Sequence, residues 1–317
     1  MKNTFIISGY TSANFIIRVH NLPKVGLTEI VQNKDNSTLY FGGNGLNVAV
    51  YLARLGMNAM PILRGGSDYA AQGYPEFLAE NGVSDKAVSI VPDDVTGVCY
   101  LAEDDHNDHM TFFYPGAMDG KYAPSAYDDA YFEGVDWGVM TVASKADNEL
   151  FLEAMRKHGI PMAFVMRPDR NAFPPEFLNR VLHFAKLVFM NEMERGYIRE
   201  TLGFDPTEEL LRNGNAEAVI ETKGGEGCLV YTMVDGSVKC DAVAATKPDE
   251  VVDTTGAGDS FLAGFMYGVV HGFGYADCAK YGATESSFII EAAGCLTNVP
   301  DEKQMLERAS ARRMDIK

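Results

Sequence analysis

The run Asp253-Thr254-Thr255-Gly256-Ala257-Gly258-Asp259 places small residues and carboxylates directly before an apolar helical pattern. Because Gly256, Ala257 and Gly258 have little or no side chain, their backbone N–H groups can approach a ligand closely. The same groups lie at the positive end of a helix, which is a natural binding site for an anion. The run therefore predicts a cradle of main-chain amides that holds a phosphate group.

Asp259 lies in the first turn of the predicted helix, where its carboxylate faces whatever the cradle holds. Phosphoryl transfer needs both parts: donors for the charge on the transferred group, and a carboxylate that takes the proton of the attacking hydroxyl. An Asp with its ordinary pKa of about 4 can serve, because proton loss can occur late in a loose transition state. Asp, Thr and Gly also favour ordinary helix caps and turns, and this run alone leaves that alternative open.

A second glycine-rich run, Tyr40-Phe41-Gly42-Gly43-Asn44-Gly45-Leu46-Asn47, opens the first long helical pattern. Its glycines expose backbone groups, and Asn44 and Asn47 offer neutral donors and acceptors that suit sugar hydroxyls. Asn44 is equally well placed as an ordinary N-cap. The run is not the dinucleotide fingerprint, because Val48 occupies the last glycine position of that motif. The chain also lacks the P-loop signature, which excludes a P-loop enzyme.

The elements that position these two runs alternate between strand and helix periodicity along almost the whole chain. Period 2 predicts strands near residues 4–9, 60–63, 137–142, 160–165, 187–190 and 218–222. Period 3.6 predicts helices near residues 44–55, 69–80, 148–157, 256–270 and 275–291. This alternation is typical of an α/β fold with a doubly wound, mostly parallel sheet and helices on both faces. Ligands of such folds bind at the carboxyl ends of the strands.

Two stretches break the alternation. Residues 15–40 offer only short extended pieces, and residues 88–114 predict a meander around the polar turn 104–108. We predict a single domain over residues 1–317, in which lid segments at about 13–40 and 88–115 form a small β-sheet over the carboxyl end of the main sheet. His106 and His109 are interpreted as part of a solvated hairpin tip rather than as metal ligands.

The composition limits the function further. The 317 residues are 46% hydrophobic and carry 27 Lys and Arg against 44 Asp and Glu, a net charge of −17. Such an acidic chain argues against nucleic-acid binding, which needs a basic surface. No apolar run approaches the roughly 18 residues of a membrane span, so no membrane partner is expected. The five cysteines are never two residues apart, which predicts reduced thiols in a cytoplasmic protein.

With these observations in hand, the sequence resembles a known family, the ribokinase-like (PfkB-type) carbohydrate kinases. Residues 42–56 are similar to the amino-terminal signature of that family, and residues 253–265 resemble its more specific carboxy-terminal signature. Between them, Asn191-Glu192-Met193-Glu194 resembles the N-x-x-E motif of the family. Thr222-Lys223-Gly224-Gly225-Glu226-Gly227 resembles its T-x-G-x-x-G nucleotide loop. The resemblance covers essentially the whole chain and keeps the motifs in order.

The resemblance implies a role for each residue that matches a motif. Asp259 matches the catalytic base, and the anion hole is matched by Gly256, Ala257 and Gly258. The residues on the acceptor side are Gly42, Gly43 and Asn47, together with Asn14 in the first lid segment.

On the donor side, the resemblance implies ATP and Mg²⁺. Asn191 and Glu194 match the residues that organise Mg²⁺ and its waters, with Glu194 nearest the metal, and the nucleotide loop is matched by Thr222, Gly224 and Gly227. Ala283 belongs to a stripe of small residues that suits the close approach of an adenine or, equally, a tight contact between helix and sheet. Asp253 and Thr255 resemble positions near a monovalent-cation (K⁺) site in some members.

Residues 110–117, 189–191 and 290–298 resemble the broad-specificity nucleoside kinase branch, which is adenosine kinase-like. The aromatic strand Phe112-Phe113-Tyr114 offers rings that can stack on a nucleobase, or that form a small core of the lid itself. Two departures leave the acceptor open. Asn14 stands where the family usually has an Asp that binds two sugar hydroxyls, and Arg167-Pro168-Asp169 stands where many sugar kinases have Asp-Pro.

The predicted activity is transfer of the γ-phosphoryl group of ATP to the primary hydroxyl of a nucleoside such as adenosine, inosine or cytidine. One alternative is a sugar kinase of the same family that acts on ribose, fructose or a keto-sugar acid. Another is a catalytically silent binding protein on the same scaffold, against which the intact Asp259 argues. An exposed lid edge is able to pair with that of a second subunit, which allows a homodimer through the lid.

Overall fold

The computed structural model describes residues 2–106 and 108–314, with the backbone alone for residues 312–314. The strands are β1 (Thr4–Ser8), β2 (Ser12–Arg18), β3 (Tyr40–Gly42), β4 (Asn58–Gly66), β5 (Val88–Val91), β6 (Val98–Glu103), β7 (His109–Tyr114), β8 (Trp137–Met140), β9 (Met162–Val165), β10 (Leu187–Asn191), β11 (Ala218–Thr222), β12 (Cys228–Val234) and β13 (Ser237–Val243). The helices are α1 (Asn44–Arg54), α2 (Tyr74–Glu80), α3 (Lys145–His158), α4 (Pro175–Phe184), α5 (Glu192–Leu202), α6 (Pro206–Arg212), α7 (Ala257–Val270), α8 (Tyr275–Ile289) and α9 (Glu302–Met314).

The larger of the two sheets has the strand order β13-β12-β11-β10-β9-β8-β1-β4-β5. Its strands from β11 to β5 are parallel, and only β12 and β13 are antiparallel to their neighbours. Two clusters of buried residues pack around it, one including α1, α7 and α8 and the other α3 and α4. Because every parallel crossover carries a helix back over a face of the sheet, this arrangement confirms the predicted α/β fold.

Most predicted elements are found within a few residues of their predicted bounds. Helix α1 ends before Gly56, whose φ of 88° is the left-handed conformation that glycine adopts most easily after a helix. Helix α2 is shorter than predicted because residues 69–73 form turns. The hairpin of β12 and β13 was not predicted; it turns at Asp235-Gly236, where both residues have positive φ. No helix in the described residues is both long and apolar enough to cross a membrane.

The smaller sheet has the order β3-β2-β6-β7 and lies outside the βα alternation. Strand β2 is antiparallel to β3 and parallel to β6, which in turn is antiparallel to β7. Its strands come from the two predicted lid segments, although β5 pairs with β4 in the larger sheet, so the second insertion begins after residue 91 rather than at 88. Of the predicted turn 104–108, Asn107 lies outside the described residues.

The lid sheet has two faces of different character, because successive side chains of a strand point to opposite sides. Cross-strand pairing puts Asn14, Cys99 and Phe113 in one row, which we call the base row. The ring of Phe113 contacts that of Tyr10 in the segment after β1, with 4.9 Å between centroids. The base row therefore faces the large sheet, and we call its side the inner face.

Four residues further along β2, pairing aligns Arg18 with Glu103 and Glu103 with His109. We call these three residues the tip row. The tip row lies on the inner face, because its residues are offset by four positions, an even number, from those of the base row. Phe15, Tyr100 and Phe112 form a row on the outer face instead. The inner face therefore changes along its length from aromatic and amide groups to ionisable ones.

Candidate active site

The start of α7 has two glycines with different surroundings. Gly256 precedes the helix with φ of 83°, and a β-carbon there would lie 2.8 Å from the Tyr51 hydroxyl. A β-carbon on Gly258 would meet no atom within 4 Å other than those of its chain neighbours and its own helix backbone. The N–H of Ala257 donates to the Thr254 carbonyl oxygen at 3.2 Å, which closes the turn before the helix. Packing thus explains the glycine at 256, whereas the one at 258 borders open space.

Asp259 is 2% exposed. The Asn47 amide nitrogen donates a hydrogen bond to its Oδ2 at 3.1 Å, while Oδ1 has no hydrogen-bond partner within the part of the chain that is described. Burial raises the pKa of Asp259 above its usual value, against the opposing effects of the Arg167 guanidinium and the Asn47 hydrogen bond. The ordinary pKa assumed from the sequence is therefore corrected upward, because the folded chain removes water from this carboxyl group.

The start of α1 holds Asn47 in this position. Gly43 precedes the helix with φ of 94°, and a β-carbon there would lie 2.5 Å from the Tyr10 carbonyl oxygen. The Asn44 side chain accepts hydrogen bonds from the N–H groups of Tyr10 and Gly45, both at 2.9 Å. Asn44 is therefore neither an N-cap nor free to bind a ligand through that oxygen; it ties the helix to the segment between β1 and β2.

Asn14 and Gly42 lie side by side on the inner face of the lid. A side chain at Gly42 would overlap the Asn14 amide, so the glycine makes room for Asn14. The Ser12 hydroxyl donates to Asn14 Oδ1 at 2.7 Å, which leaves the amide N–H groups of Asn14 available. The predicted acceptor residues are thus split between the lid and the start of α1, and Asn14, Gly42, Gly43 and Asn47 are not among the residues that line the cavity at the carboxyl ends of the central strands.

A cavity of about 680 Å³ opens at the carboxyl ends of the central strands. Its wall on the side of the large sheet includes Gly256, Ala257, Gly258 and Arg167. The lid contributes the tip row and its neighbours to the opposite wall: Arg18, Val19, Glu103, Asp104, Asp105 and His109. The anion cradle and the lid tip therefore face the same space.

Asn191 and Glu194 also line this cavity. Asn191 Oδ1 accepts the N–H of Glu194 at 2.9 Å, and Glu194 Oε2 accepts the N–H of Asn191 at 2.7 Å. This reciprocal pair is a capping box that starts α5. Burial raises the pKa of Glu194, and the hydrogen bond from Asn191 opposes that rise. The N-x-x-E motif therefore has a structural role in addition to the predicted role near the metal.

The predicted nucleotide residues are not all brought together. Thr222 lines the cavity, but Gly224, Gly227 and Ala283 are not among its lining residues. Gly227 has φ of 102°, and a β-carbon there would overlap the backbone of Val243 and Ala244. Ala283 is 7% exposed within the core cluster. The neighbouring Gly282 packs against the backbone of Phe261 in α7, so the small-residue stripe makes a tight contact between two helices.

Arg167 was not predicted as a site residue. It follows β9, and its guanidinium lies 3.8 Å from Asp259 Oδ1 without a hydrogen bond. The only signal in the sequence was that Arg167 precedes Pro168 where many sugar kinases have Asp-Pro. This signal did not indicate where the Arg167 side chain lies. Because the carboxyl ends of β9 and β10 lie beside the start of α7, the fold supplies a positive charge that no local motif contains.

Both carboxylate oxygens of Asp253 accept backbone N–H groups, from Thr255 at 2.8 Å and from Gly294 at 2.9 Å. The side chain thereby connects the loop before α7 to the turn that follows α8. Asp253 therefore has a structural role in this turn.

The Asp259 carboxylate is not itself a lining residue of the cavity, but it directly follows Gly258, which is. A buried carboxylate beside an open helix start is the arrangement that phosphoryl transfer requires. A family model described as pfkB family carbohydrate kinase matches residues 4–302. The chain belongs to this family. It is therefore a phosphotransferase with an alcohol group as acceptor. This membership confirms the resemblance inferred from the motifs.

Among curated proteins, a nucleoside kinase from Methanocaldococcus jannaschii is 28% identical over 308 residues, which cover 96% of each chain. The crystal structure of a nucleoside kinase from the same organism, titled an archaeal member of the ribokinase family, superposes with a TM-score of 0.84. It covers 98% of both chains at 26% identity. A structure of Burkholderia thailandensis nucleoside kinase in complex with inosine has a TM-score of 0.85 at 22% identity and covers 97% of both chains. This last likeness concerns the fold alone.

Proposed function

We propose that this kinase transfers the γ-phosphoryl group of ATP to the primary hydroxyl of a nucleoside. The observation that carries the proposal is the buried Asp259 carboxylate, whose Oδ1 accepts no hydrogen bond from the described residues and lies beside the open backbone of Gly258. An acceptor hydroxyl can satisfy that oxygen, because a buried carboxylate oxygen without a partner is otherwise unfavourable. The nucleoside kinases named above, one of them crystallised with inosine, support a nucleoside as the acceptor.

Asp259 acts as the general base in this proposal. Asn47 holds one carboxylate oxygen, so the other is oriented toward the acceptor hydroxyl and accepts its proton as the new P–O bond forms. The leaving group is ADP, and the proton that Asp259 takes up is released to solvent after transfer. The N–H of Ala257 already donates to the Thr254 carbonyl oxygen, and that of Ser260 donates to the Gly256 carbonyl oxygen. The N–H groups of Gly258 and Asp259 are therefore the ones proposed to stabilise the charge on the transferred phosphoryl group.

Arg167 is proposed to bind the transferred phosphoryl group. Its guanidinium is half-exposed, lines the cavity and makes no hydrogen bond to Asp259 despite its proximity. A planar guanidinium is well suited to phosphate oxygens. The same positive charge opposes the rise in pKa that burial causes at Asp259 and Glu194, so it also favours the ionised form of both carboxyl groups.

The residues near Glu194 fit Mg²⁺ bound through water. One oxygen of Glu194 holds the Asn191 N–H, which leaves the other for a metal-bound water. No set of three or more His, Cys, Asp or Glu side chains in the described residues could enclose a metal. Mg²⁺ commonly keeps several waters and binds through one carboxylate and substrate phosphates, where it neutralises the β- and γ-phosphate oxygens. Thr222 and the loop with Gly224 and Gly227 are proposed to border the nucleotide.

The base row of the lid supports a nucleoside rather than a free sugar. Asn14 presents amide N–H groups suited to ribose hydroxyls, and Phe113 lies two strands away in the same row. Phe112 and Tyr114 point to the outer face, so of the three aromatic residues only Phe113 is placed to contact a nucleobase. We propose that the small sheet acts as a lid of a single kinase domain.

An acceptor panel tests the assignment. We expect Mg²⁺-dependent ADP release with adenosine, inosine or cytidine, and a kcat/KM at least tenfold lower with ribose, fructose or a keto-sugar acid. Activity on free sugars alone would replace the nucleoside by the sugar alternative. Turnover that does not change when K⁺ replaces a bulky organic cation would remove the predicted monovalent site. A cytoplasmic location remains a prediction from the sequence.

We also infer a homodimer through the outer face of the lid. Tyr100 and Phe112 are 48% and 60% exposed, and the Tyr100 ring stacks on that of Phe15 to form a continuous apolar row. Exposed apolar patches of this kind are typical of protein interfaces. Sedimentation equilibrium at micromolar concentration is expected to give a dimer for the native chain and a monomer for Phe112→Ser. A monomeric native chain would contradict the inference.

A further inference from the structure

The three side chains of the tip row line the same cavity as the start of α7, whereas the base row, which is proposed to face the acceptor, is not among the lining residues. With a rise of about 3.4 Å per residue, Arg18 lies about 14 Å beyond Asn14 along β2. A nucleoside beneath the base row does not need to extend that far past its primary hydroxyl. The tip row therefore faces the part of the cavity that remains for the second substrate.

Arg18 has an unsatisfied group in this position. The side chain as a whole is 41% exposed and lines the cavity, but its Nη2 is buried and has no hydrogen-bond partner among the described residues, while its Nε lies 3.7 Å from Glu103 Oε2. The Glu103 contact is too long for a hydrogen bond and positions the guanidinium only through charge. A buried N–H without an acceptor is unfavourable and is satisfied when an anionic ligand supplies one.

Glu103 faces the loop before α7 as well as Arg18. Burial and the charge of Asp253 raise the pKa of Glu103, whereas Arg18 and His109 lower it. The tip of the lid is thus close enough to the Asp253 loop for their charges to interact across the cavity. Glu103 puts a negative charge at the place where a nucleotide's phosphates would approach Arg18.

We propose that the lid binds the donor nucleotide directly. Arg18 contacts the phosphates, and the negative charge of Glu103 lowers the affinity of that contact. The inference rests on the proposed kinase function, since it assumes that a nucleoside triphosphate occupies this half of the cavity. It goes beyond that function because it gives one small sheet two ligands: the acceptor beneath the base row and the donor beneath the tip row.

Two variants with opposite expected signs test the proposal. Calorimetry with the β,γ-imido analogue of ATP measures donor affinity without turnover. Arg18→Ala is expected to raise the Kd of the analogue about tenfold, the effect of losing one charge-assisted hydrogen bond. Glu103→Gln is expected to lower that Kd severalfold, because it removes a negative charge beside the phosphates without changing shape. Both shifts should shrink at 0.5 M salt.

Controls separate this contact from general damage to the lid. Arg180→Ala removes an exposed arginine that pairs with Glu153 outside the cavity, and its Kd should match that of the native chain. The Kd of the nucleoside should change less than threefold in both lid variants. An unchanged analogue Kd in Arg18→Ala, or equal losses of donor and acceptor affinity, would overturn the proposal.

The acceptor panel distinguishes this failure from failure of the proposed function. If the native chain phosphorylates nucleosides while Arg18→Ala binds the analogue normally, the kinase assignment stands and the lid contact is wrong. If the native chain binds the analogue through Arg18 but phosphorylates no nucleoside, the lid contact stands and the assignment is wrong.

Discussion

Helices α1 and α7 both begin after a glycine with positive φ, Gly43 at 94° and Gly256 at 83°, and neither has a side-chain cap. They differ in what surrounds the glycines that follow. The backbone of Gly45 packs against that of Gly9, where a β-carbon would lie 2.7 Å from backbone atoms, whereas Gly258 borders open space. Similar glycine-rich runs therefore meet different demands: close packing of backbone at α1, and access for a ligand at α7.

The two helix starts meet through the hydrogen bond between Asn47 and Asp259. Helix α1 is packed against β1 and carries the amide, while α7 carries the carboxylate and the open backbone. The comparison assigns a supporting role to the first helix start and a reacting role to the second. Variants in each of the two helix starts test this assignment.

The largest effect is expected from Asp259→Asn. The amide has the same shape but cannot accept the proton, so kcat should fall by a factor of roughly 10²–10⁴. The melting temperature should not fall, because the change removes a buried charge whose raised pKa shows that the folded chain disfavours it. Steady-state kinetics and calorimetry measure the two quantities. Asp277→Asn, the same change in the first turn of α8, is the control, and near-native activity of Asp259→Asn would end the proposed mechanism.

The glycine pair at α7 gives the next largest effect. Gly258→Ala should lower kcat by about tenfold to a hundredfold, since a methyl group enters the ligand space and hinders the amide contacts. Its free energy of unfolding should stay the same or rise, because alanine favours a helix and meets no atom beyond its chain neighbours and its own helix backbone. Gly256→Ala should instead lose about 1–3 kcal/mol of stability through its positive φ and the Tyr51 contact. Equal destabilisation of both variants would mean that the glycines do not differ.

Removal of Arg167 is expected to act through pH as well as through phosphate binding. Activity requires ionised Asp259, so it falls as pH drops through the pKa of that group. Arg167 lowers this pKa, and Arg167→Ala should therefore move the acid limb of kcat/KM to higher pH and lower the plateau about tenfold. In Arg167→Lys the acid limb should return most of the way to its native pH. The plateau value of kcat/KM should recover less, because an ammonium lacks the planar pair of donors. An acid limb at the native pH in Arg167→Ala would show that Arg167 does not influence the pKa of Asp259.

The smallest effect is expected at the α1 start. Asn47→Ala removes the hydrogen bond to Asp259 Oδ2, which also lowers the pKa of that carboxyl group. The acid limb should again move to higher pH, by less than in Arg167→Ala, and kcat should fall severalfold at neutral pH. Asn213→Ala, an exposed asparagine that follows α6, serves as the control. A loss as large as that of Asp259→Asn would give α1 a reacting role and break the comparison.

Much of the fold followed from contiguous residues. Alternating periodicity gave the parallel sheet, α1, α7 and α8, because each helix or strand must bury one face and therefore repeats apolar residues at a fixed spacing. Helices α5 and α6 were not predicted from this pattern, since their first turns are polar and their starts depend on capping residues, Asn191 and Asp205. The hairpin β12–β13 was not predicted because few of its residues are buried, and β13 lies at the edge of the sheet.

Contiguous residues were sufficient to predict the chemistry of the α7 start, since a glycine-rich turn followed by Asp259 is a local arrangement of backbone and carboxylate. The folded chain was needed to show that Gly258 is open while Gly256 is packed, that Arg167 lies beside Asp259, and that Arg18 and Phe113 share the inner face of the lid. Burial, charge proximity and cross-strand pairing depend on elements that are distant in the chain. No local motif records where those elements come together.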